Sequence, residues 1–277
     1  MHLHDYLSRY CRSREIAPGT VEHYRWVVAS FTRLHGPCDL HDLTADHLHQ
    51  WLSWLRSRGR SPWTVKQRRI SLLVLWRSAW LDGLAPCLPP LRRQRPLHYA
   101  PEAWTVQEVR QLVAAAERLP GCFPGAGLRR DLWLGSLVRA GYDSGLRLGD
   151  LLRFPARAVG EAPIQIRQAK TGRCVTVRFR PETVQAIAAC LADGPPRRLL
   201  WPLWGRREAL YRLVRRTVLS SGIRPGTFRW LRRAAATSCE RQQPGSGTVL
   251  LGHASRSTTE AWYVDRSQTT VPPLPGW

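Results

Sequence analysis

The chain has 277 residues, enough to bury a real core in one or two domains. Its formal net charge of +22, from 42 basic against 20 acidic residues, favours a polyanionic partner, above all nucleic acid, over an acidic small molecule. No apolar run approaches the ~20 residues that cross a bilayer, and the start Met-His-Leu-His-Asp lacks a basic segment leading into an apolar one, so neither membrane insertion nor secretion is expected.

The first ~95 residues read as helical. Val21, Tyr24, Val27, Val28, Phe31 and Leu34 recur at helical spacing over Thr20 to Gly36, where Gly36-Pro37 stops the run. Leu48, Trp51, Leu52 and Leu55 form a second apolar face behind a Thr44 cap. Ser61-Pro62 opens a third helix, with Ile70, Leu73, Val74, Arg77 and Leu81 as its expected buried face. A short helix before Pro18 completes a four-helix module over 1–88. Its basic residues Arg56, Arg58, Arg60, Lys66, Arg68 and Arg69 are expected on an open, DNA-binding face.

Five prolines between Pro86 and Pro101 forbid a continuous helix. With Arg92, Arg93 and Arg95 they make 89–103 a basic linker able to lie along a phosphate backbone. The second domain, 104–277, opens with Thr105-Val-Gln-Glu108, a capping box with Thr at the cap and Glu three residues later. Helices are expected to about Leu119 and, after a loop over 120–127, up to Gly141. Ile164 and Ile166, then Val175, Val177 and Phe179, alternate at period two around Lys170-Thr-Gly, which reads as a β-hairpin with the lysine at its tip. Helices resume over 181–191, 206–221 and 227–242, and the Pro-rich end after Val271 is not expected to be helical. The expected fold is mainly α with a small β-sheet, in two domains.

All but two of the basic residues are arginine, the exceptions being Lys66 and Lys170. A lysine kept in the second domain suits proton transfer, because an ammonium can act as an acid where a guanidinium rarely does. His253 is the only histidine after residue 98. Arg229 and Arg232 lie three apart and share one helical face, with Tyr263 ten residues beyond His253. A phosphodiester held between arginines beside a tyrosine is a site for covalent phosphoryl transfer. Tyr142 and Tyr211 read as core aromatics. The seven scattered cysteines contain no Cys-x-x-Cys and read as small hydrophobes in a reducing cytosol, and His47-x-His49 is weak as a metal pair.

Ser144-Gly-Leu-Arg147-Leu-Gly-Asp150 resembles the first arginine box of the tyrosine recombinases, the phage-type integrases. Lys170 resembles their β-hairpin lysine, Arg229-Trp-Leu-Arg232-Arg233 resembles their His-x-Leu-Arg-His box, and Leu251-Gly-His253 with Thr258-Thr259 and Tyr263 resembles their terminal box. The four occur in family order over about 144–265. The resemblance implies a helical core-binding domain followed by a mixed catalytic domain. It implies that Arg147 and Arg232 clamp the scissile phosphate, with Arg229 at the usual His position and His253 bonding the phosphate. Tyr263 would attack phosphorus and Lys170 would protonate the leaving 5′-oxygen, while Asp150 would orient an arginine. Tyr263 falls one residue later than the family spacing, and Trp262 holds the usual slot. The implied function is site-specific recombination or integration on double-stranded DNA held between the domains by a homo-tetramer. No metal, cofactor, small-molecule substrate or membrane would be involved, and the location would be cytoplasmic, at the nucleoid. The alternatives are a relaxing enzyme of topoisomerase IB type, which also lacks that His, and a non-catalytic DNA-binding derivative.

Overall fold

The computed structural model describes residues 1–88, 100–125, 127–160 and 163–268. The linker arginines Arg92, Arg93 and Arg95 and the end of the chain beyond residue 268 lie outside them. The chain divides into two units, Met1–His98 and Tyr99–Trp277.

The first unit holds α1 (Leu3–Arg12), α2 (Pro18–His35), α3 (Ala45–Ser57) and α4 (Pro62–Leu81). Leu3, Tyr6, Leu7 and Tyr10 bury one stripe of α1, spaced as one face of a 3.6-residue helix. In α2 the buried positions are Val27, Val28 and Phe31. Phe31 meets Trp51 of α3 edge-on at 5.6 Å between centroids. Thr44 caps α3 as expected, and His47 closes the capping box by accepting from the Thr44 backbone N–H. His47 is thereby spent on a helix start.

The expected face of α4 is corrected. Val65, Leu72, Leu75, Trp76 and Ala79 are buried, whereas Ile70, Val74 and Leu81 are exposed. Apolar side chains surround this helix, so periodicity alone could not choose among its faces, and the heavier Leu–Trp stripe took the core. Arg68 is buried with that stripe, not on an open basic face.

The second unit begins with α5 (Val106–Ala116), behind the Thr105–Glu108 capping box, and α6 (Arg130–Ser144). Helix α6 runs three residues past the expected Gly141 and ends where Gly145 turns left-handed (φ 58°). The one-turn helix α7 (Leu148–Leu151) follows, then β1 (Ile164–Arg167) and β2 (Cys174–Val177) pair antiparallel with Ile164 opposite Val177 and Ile166 opposite Val175. Both pairs face the core while the alternate residues are exposed, the period-two pattern of a half-buried hairpin.

Then come α8 (Pro181–Ala192), α9 (Arg207–Ser220), α10 (Phe228–Gln242), α11 (Ser246–Leu251) and α12 (Arg256–Trp262). Tyr211 is 55% exposed on α9 and is not a core aromatic, whereas Tyr142 is half-buried and bonds Ser238 Oγ at 2.8 Å. Trp104, Trp133, Phe154 and Trp201 fill the centre of this unit. Small residues let α10 approach closely: a Cβ on Gly141 would stand 2.8 Å from Phe228 and 2.9 Å from Leu231. That close packing brings α6, α10 and α11 together at one end, where the expected chemistry-bearing residues lie.

Candidate active site

Arg147 sits at the N-cap of α7, two residues after the left-handed Gly145. Its Nη1 donates to Gln168 Oε1 at 2.6 Å and lies 3.9 Å from Asp150 Oδ2. Asp150 Oδ1 in turn accepts the Ala169 backbone N–H at 2.9 Å, so this carboxylate fixes the base of the hairpin loop beside the arginine.

Arg232, on α10, is only 3% exposed. It donates through Nη1 to the Gly145 carbonyl and through Nη2 to the Leu251 carbonyl at 3.0 Å. Its Nε is buried with no acceptor in the protein. Burial first, and then the charge of Arg147, pull its pKa down to about 10, so it remains a cation at neutral pH.

The same Nη2 lies 3.2 Å from His253 Nε2. A guanidinium has no lone pair to offer, so His253 must accept there, and its proton sits on Nδ1, which donates to Thr259 Oγ1 at 2.9 Å. Burial, then Arg232 and Arg147, lower the His253 pKa to about 4, and the ring is neutral near pH 7.

Tyr263 follows α12. Its ring centroid is 4.7 Å from that of His253, and the guanidinium carbons of Arg232 and Arg229 lie 5.3 and 5.6 Å from it. Burial raises its pKa, but Arg232, Arg229 and Arg147 together outweigh that and the phenol is more acidic than usual. Tyr263, one residue later than the family spacing, is the residue that follows the last helical position. Tyr263 has left helical geometry (φ −130°, ψ −22°), so the ~100° rotation of a shifted helical position does not apply to it. Two bonds from α10 pin the turn: Arg233 Nε donates to the Trp262 carbonyl at 3.1 Å, and Thr237 Oγ1 to the Tyr263 carbonyl at 3.5 Å.

Arg147, Arg229, Arg232, His253 and Tyr263 thus form one cluster, with Asp150 as the nearby carboxylate. Lys170 is on the hairpin loop, exposed, and makes no hydrogen bond or ion pair among the described residues. Of the expected DNA-binding residues in the first unit, Arg56 and Arg58 are exposed, Lys66 and Arg69 half-buried, and Arg68 buried. Among the described residues no three His, Cys, Asp or Glu side chains gather to hold a metal ion.

Gln168 escaped the sequence reading. It is fully buried, accepts from Arg147, and donates through Nε2 to the Leu251 carbonyl at 2.9 Å. That carbonyl also accepts from Arg232, so one glutamine and one carbonyl tie the two arginines together. Thr237 was missed as well, and Arg233 and Thr259 stood in the quoted boxes without a role. A lone Gln before a hairpin lysine carries no periodic signal.

Residues 3–82 match the phage integrase N-terminal SAM-like domain. The whole chain superposes on a lambda integrase (75-356) dimer bound to a COC' core site with a TM-score of 0.78, 22% identity, and 99% of each chain covered. The fold is that of the tyrosine recombinases. A lambda integrase tetramer bound to a Holliday junction matches over 96% of this chain and 78% of that one (TM-score 0.76, 22% identity). XerH site-specific recombinase bound to difH substrate, in a pre-cleavage complex, matches over 96% and 80% (TM-score 0.67, 19% identity). Tyrosine recombinase XerD of Caulobacter vibrioides is 29% identical over 163 residues, 57% of this chain and 50% of the relative. The chain spans about half the length of that curated relative. Among the described residues, no helix of this tyrosine recombinase fold is long and apolar enough to cross a membrane.

Proposed function

We propose that this protein is a site-specific DNA recombinase that breaks and rejoins strands through a 3′-phosphotyrosyl link at Tyr263. The observation that carries the reading is the placing of Tyr263 against His253 and two arginines. The relatives it resembles in fold include recombinases bound to their DNA sites.

In this reading the non-bridging oxygens of one phosphate accept from the N–H groups of Arg147 and Arg232 that their bonds to Gln168, Gly145 and Leu251 leave open. Those fixed cations stabilise the charge that grows in the five-coordinate transition state. The Tyr263 oxygen attacks phosphorus, forming the O–P bond as the bond to the 5′-oxygen breaks. The phenol proton is lost to solvent or to a phosphate oxygen, with the arginines favouring the phenolate. Arg229 contributes by charge where a His would accept a proton. To donate to a phosphate oxygen, neutral His253 moves its proton to Nε2, and Nδ1 then accepts from the Thr259 hydroxyl. Lys170, free on its loop, delivers a proton to the leaving 5′-oxygen. Attack by a 5′-hydroxyl from another strand reverses these steps and releases Tyr263 without ATP.

Strand exchange between two sites requires four such protomers, so a homo-tetramer on DNA is proposed, with 3–82 as the core-binding domain. The work would take place in the cytoplasm on the nucleoid. The test sequences the DNA flanking the gene for a repeat and places two copies of it on a supercoiled plasmid. Deletion or inversion products are expected, with a site-free plasmid left supercoiled. Relaxation of the site-free plasmid would favour a topoisomerase IB-type enzyme, and binding with no strand breakage would favour a non-catalytic derivative.

A further inference from the structure

Among the described residues the Lys170 side chain has no partner, so its place is set by the backbone of the loop that carries it. That loop, 168–173, closes on itself. The Gln168 N–H donates to the Arg173 carbonyl and the Gly172 N–H to the Gln168 carbonyl, each at 2.8 Å, with Gly172 left-handed at φ 67°. These bonds fix the shape of the loop. They do not fix where it stands relative to the arginines, because both ends of each bond lie within the loop.

Two further bonds, one on either side of Lys170, run towards Arg147. The Ala169 N–H donates to Asp150 Oδ1 at 2.9 Å, and Thr171 Oγ1 donates to Gln168 Oε1 at 3.0 Å. The second joins two side chains, and its acceptor is the same oxygen that takes the Arg147 Nη1 proton at 2.6 Å. An amide oxygen has two lone pairs, and Oε1 offers one to each donor. Gln168 is fully buried and is held at its other end by the Leu251 carbonyl at 2.9 Å, so it is a fixed post. Neither group needs the Thr171 bond for satisfaction: Oε1 already has Arg147, and the exposed Thr171 has water within reach. What the bond adds is position.

We propose that Thr171 is a positioning residue for the leaving-group proton. It latches the Lys170 loop to the Gln168–Arg147 pair, so that the cation on the phosphate and the acid for its 5′-oxygen are held in one frame. The proposal rests on the reading of Lys170 as that acid and adds the residue that places it. Thr171 takes no proton itself. It acts through the fraction of time that the ammonium stands within hydrogen-bond reach of the oxygen. One ordinary hydrogen bond corresponds to a change of about 2- to 12-fold in such a fraction.

The test uses the full chain and compares Thr171→Val, which keeps the branched shape and deletes the hydroxyl, with Thr171→Ser, which keeps the hydroxyl. Single-turnover cleavage is measured on a nicked suicide duplex with the ordinary 5′-oxygen, and on the same duplex with a 5′-bridging sulfur that departs without a proton. Thr171→Val is expected to be about 2- to 12-fold slow on oxygen and equal to the wild type on sulfur. Thr171→Ser should match the wild type on both, and melting temperature and duplex affinity should not move in either variant. In a Lys170→Ala background Thr171→Val should cost nothing further, because residues that act through one another are not additive. A Val variant as fast as the wild type on oxygen, one equally slow on both substrates, or a further loss in the Lys170→Ala background would overturn the proposal. A Lys170→Ala protein equally slow on oxygen and sulfur would instead overturn the acid assignment beneath it, and a wild type that cleaves neither substrate would overturn the functional reading as a whole.

Discussion

Arg232 Nη2 donates to His253 Nε2 at 3.2 Å. The bond fixes the histidine as a neutral Nδ1–H tautomer and places the cation that keeps it so. Its pKa near 4 lies below the ordinary 6.5, so the unfolded chain binds this proton first. The stability the neutral ring contributes is complete above pH 6.5 and is lost as pH falls towards 4. Melting temperature should drop over that window in the wild type, and the drop should be smaller in His253→Gln. A pH–rate profile for strand cleavage should show no break near 6.5 from this residue.

The phenol of Tyr263 responds to neighbouring cations in the same direction as His253. Removing a cation raises its pKa, so Arg229→Ala should move the alkaline rise of the cleavage profile to higher pH. The rate at neutral pH should fall, with part of the loss recovered at pH 9. A profile displaced only in height would mean that Arg229 holds the DNA and leaves the tyrosine untuned.

Gln168 ties Arg147 to the carbonyl that Arg232 also uses. Gln168→Ala should leave both arginines present but free to move. A misplacement of about 1 Å at a reacting centre costs on the order of 10²-fold in rate. Cleavage should therefore fall by roughly 10- to 100-fold while duplex affinity, measured by anisotropy, changes little. Equal losses in both would show a general role in folding.

Gly252 couples His253 to the hairpin. It is left-handed (φ 63°), and a Cβ there would stand 2.4 Å from Val175 Cγ1 on β2. Gly252→Ala should cost about 2–4 kcal/mol in denaturant unfolding, from backbone strain and overpacking combined. A smaller loss would mean that the hairpin yields easily, and then Lys170 would be poorly placed by it.

Lys170 is testable by chemistry alone. If it protonates the 5′-oxygen, Lys170→Arg keeps the charge but should lose about 10²–10⁴-fold in cleavage rate. A substrate with a 5′-bridging sulfur needs no proton for departure and should restore most of that loss. A variant equally slow on both substrates would assign Lys170 to DNA positioning.

Much of this arrangement was legible in the sequence because its signals are local. The Thr105–Glu108 cap, the alternation of Ile164, Ile166, Val175 and Val177, and the order of the arginine boxes each depend on neighbours in the chain. The α4 face was not legible, because a helix apolar all round buries whichever stripe its partners fit. Tyr211 looked like core and is exposed, since a tyrosine's burial is set by packing and not by its own residue type. Helix α11 was not legible, because Gly245 and Gly247 are of a residue type that disfavours a helix. Yet Gly245 takes the left-handed N-cap, and Gly247 is buried where a Cβ would crowd Glu240 and the Ala236 carbonyl. The non-helical turn at Tyr263 was likewise invisible, because Arg233 and Thr237 reach across to it from another helix.

The central claim is that Tyr263 is the nucleophile, and covalent trapping tests it most directly. A suicide substrate nicked beside the crossover point should yield a protein–DNA adduct that protease digestion and mass spectrometry map to the peptide containing Tyr263. Tyr263→Phe should abolish the adduct and Trp262→Tyr should not restore it, because Trp262 is the last residue of the helix and Tyr263 has left it. An undiminished adduct in Tyr263→Phe, or one mapped to Tyr142 or Tyr211, would contradict the account.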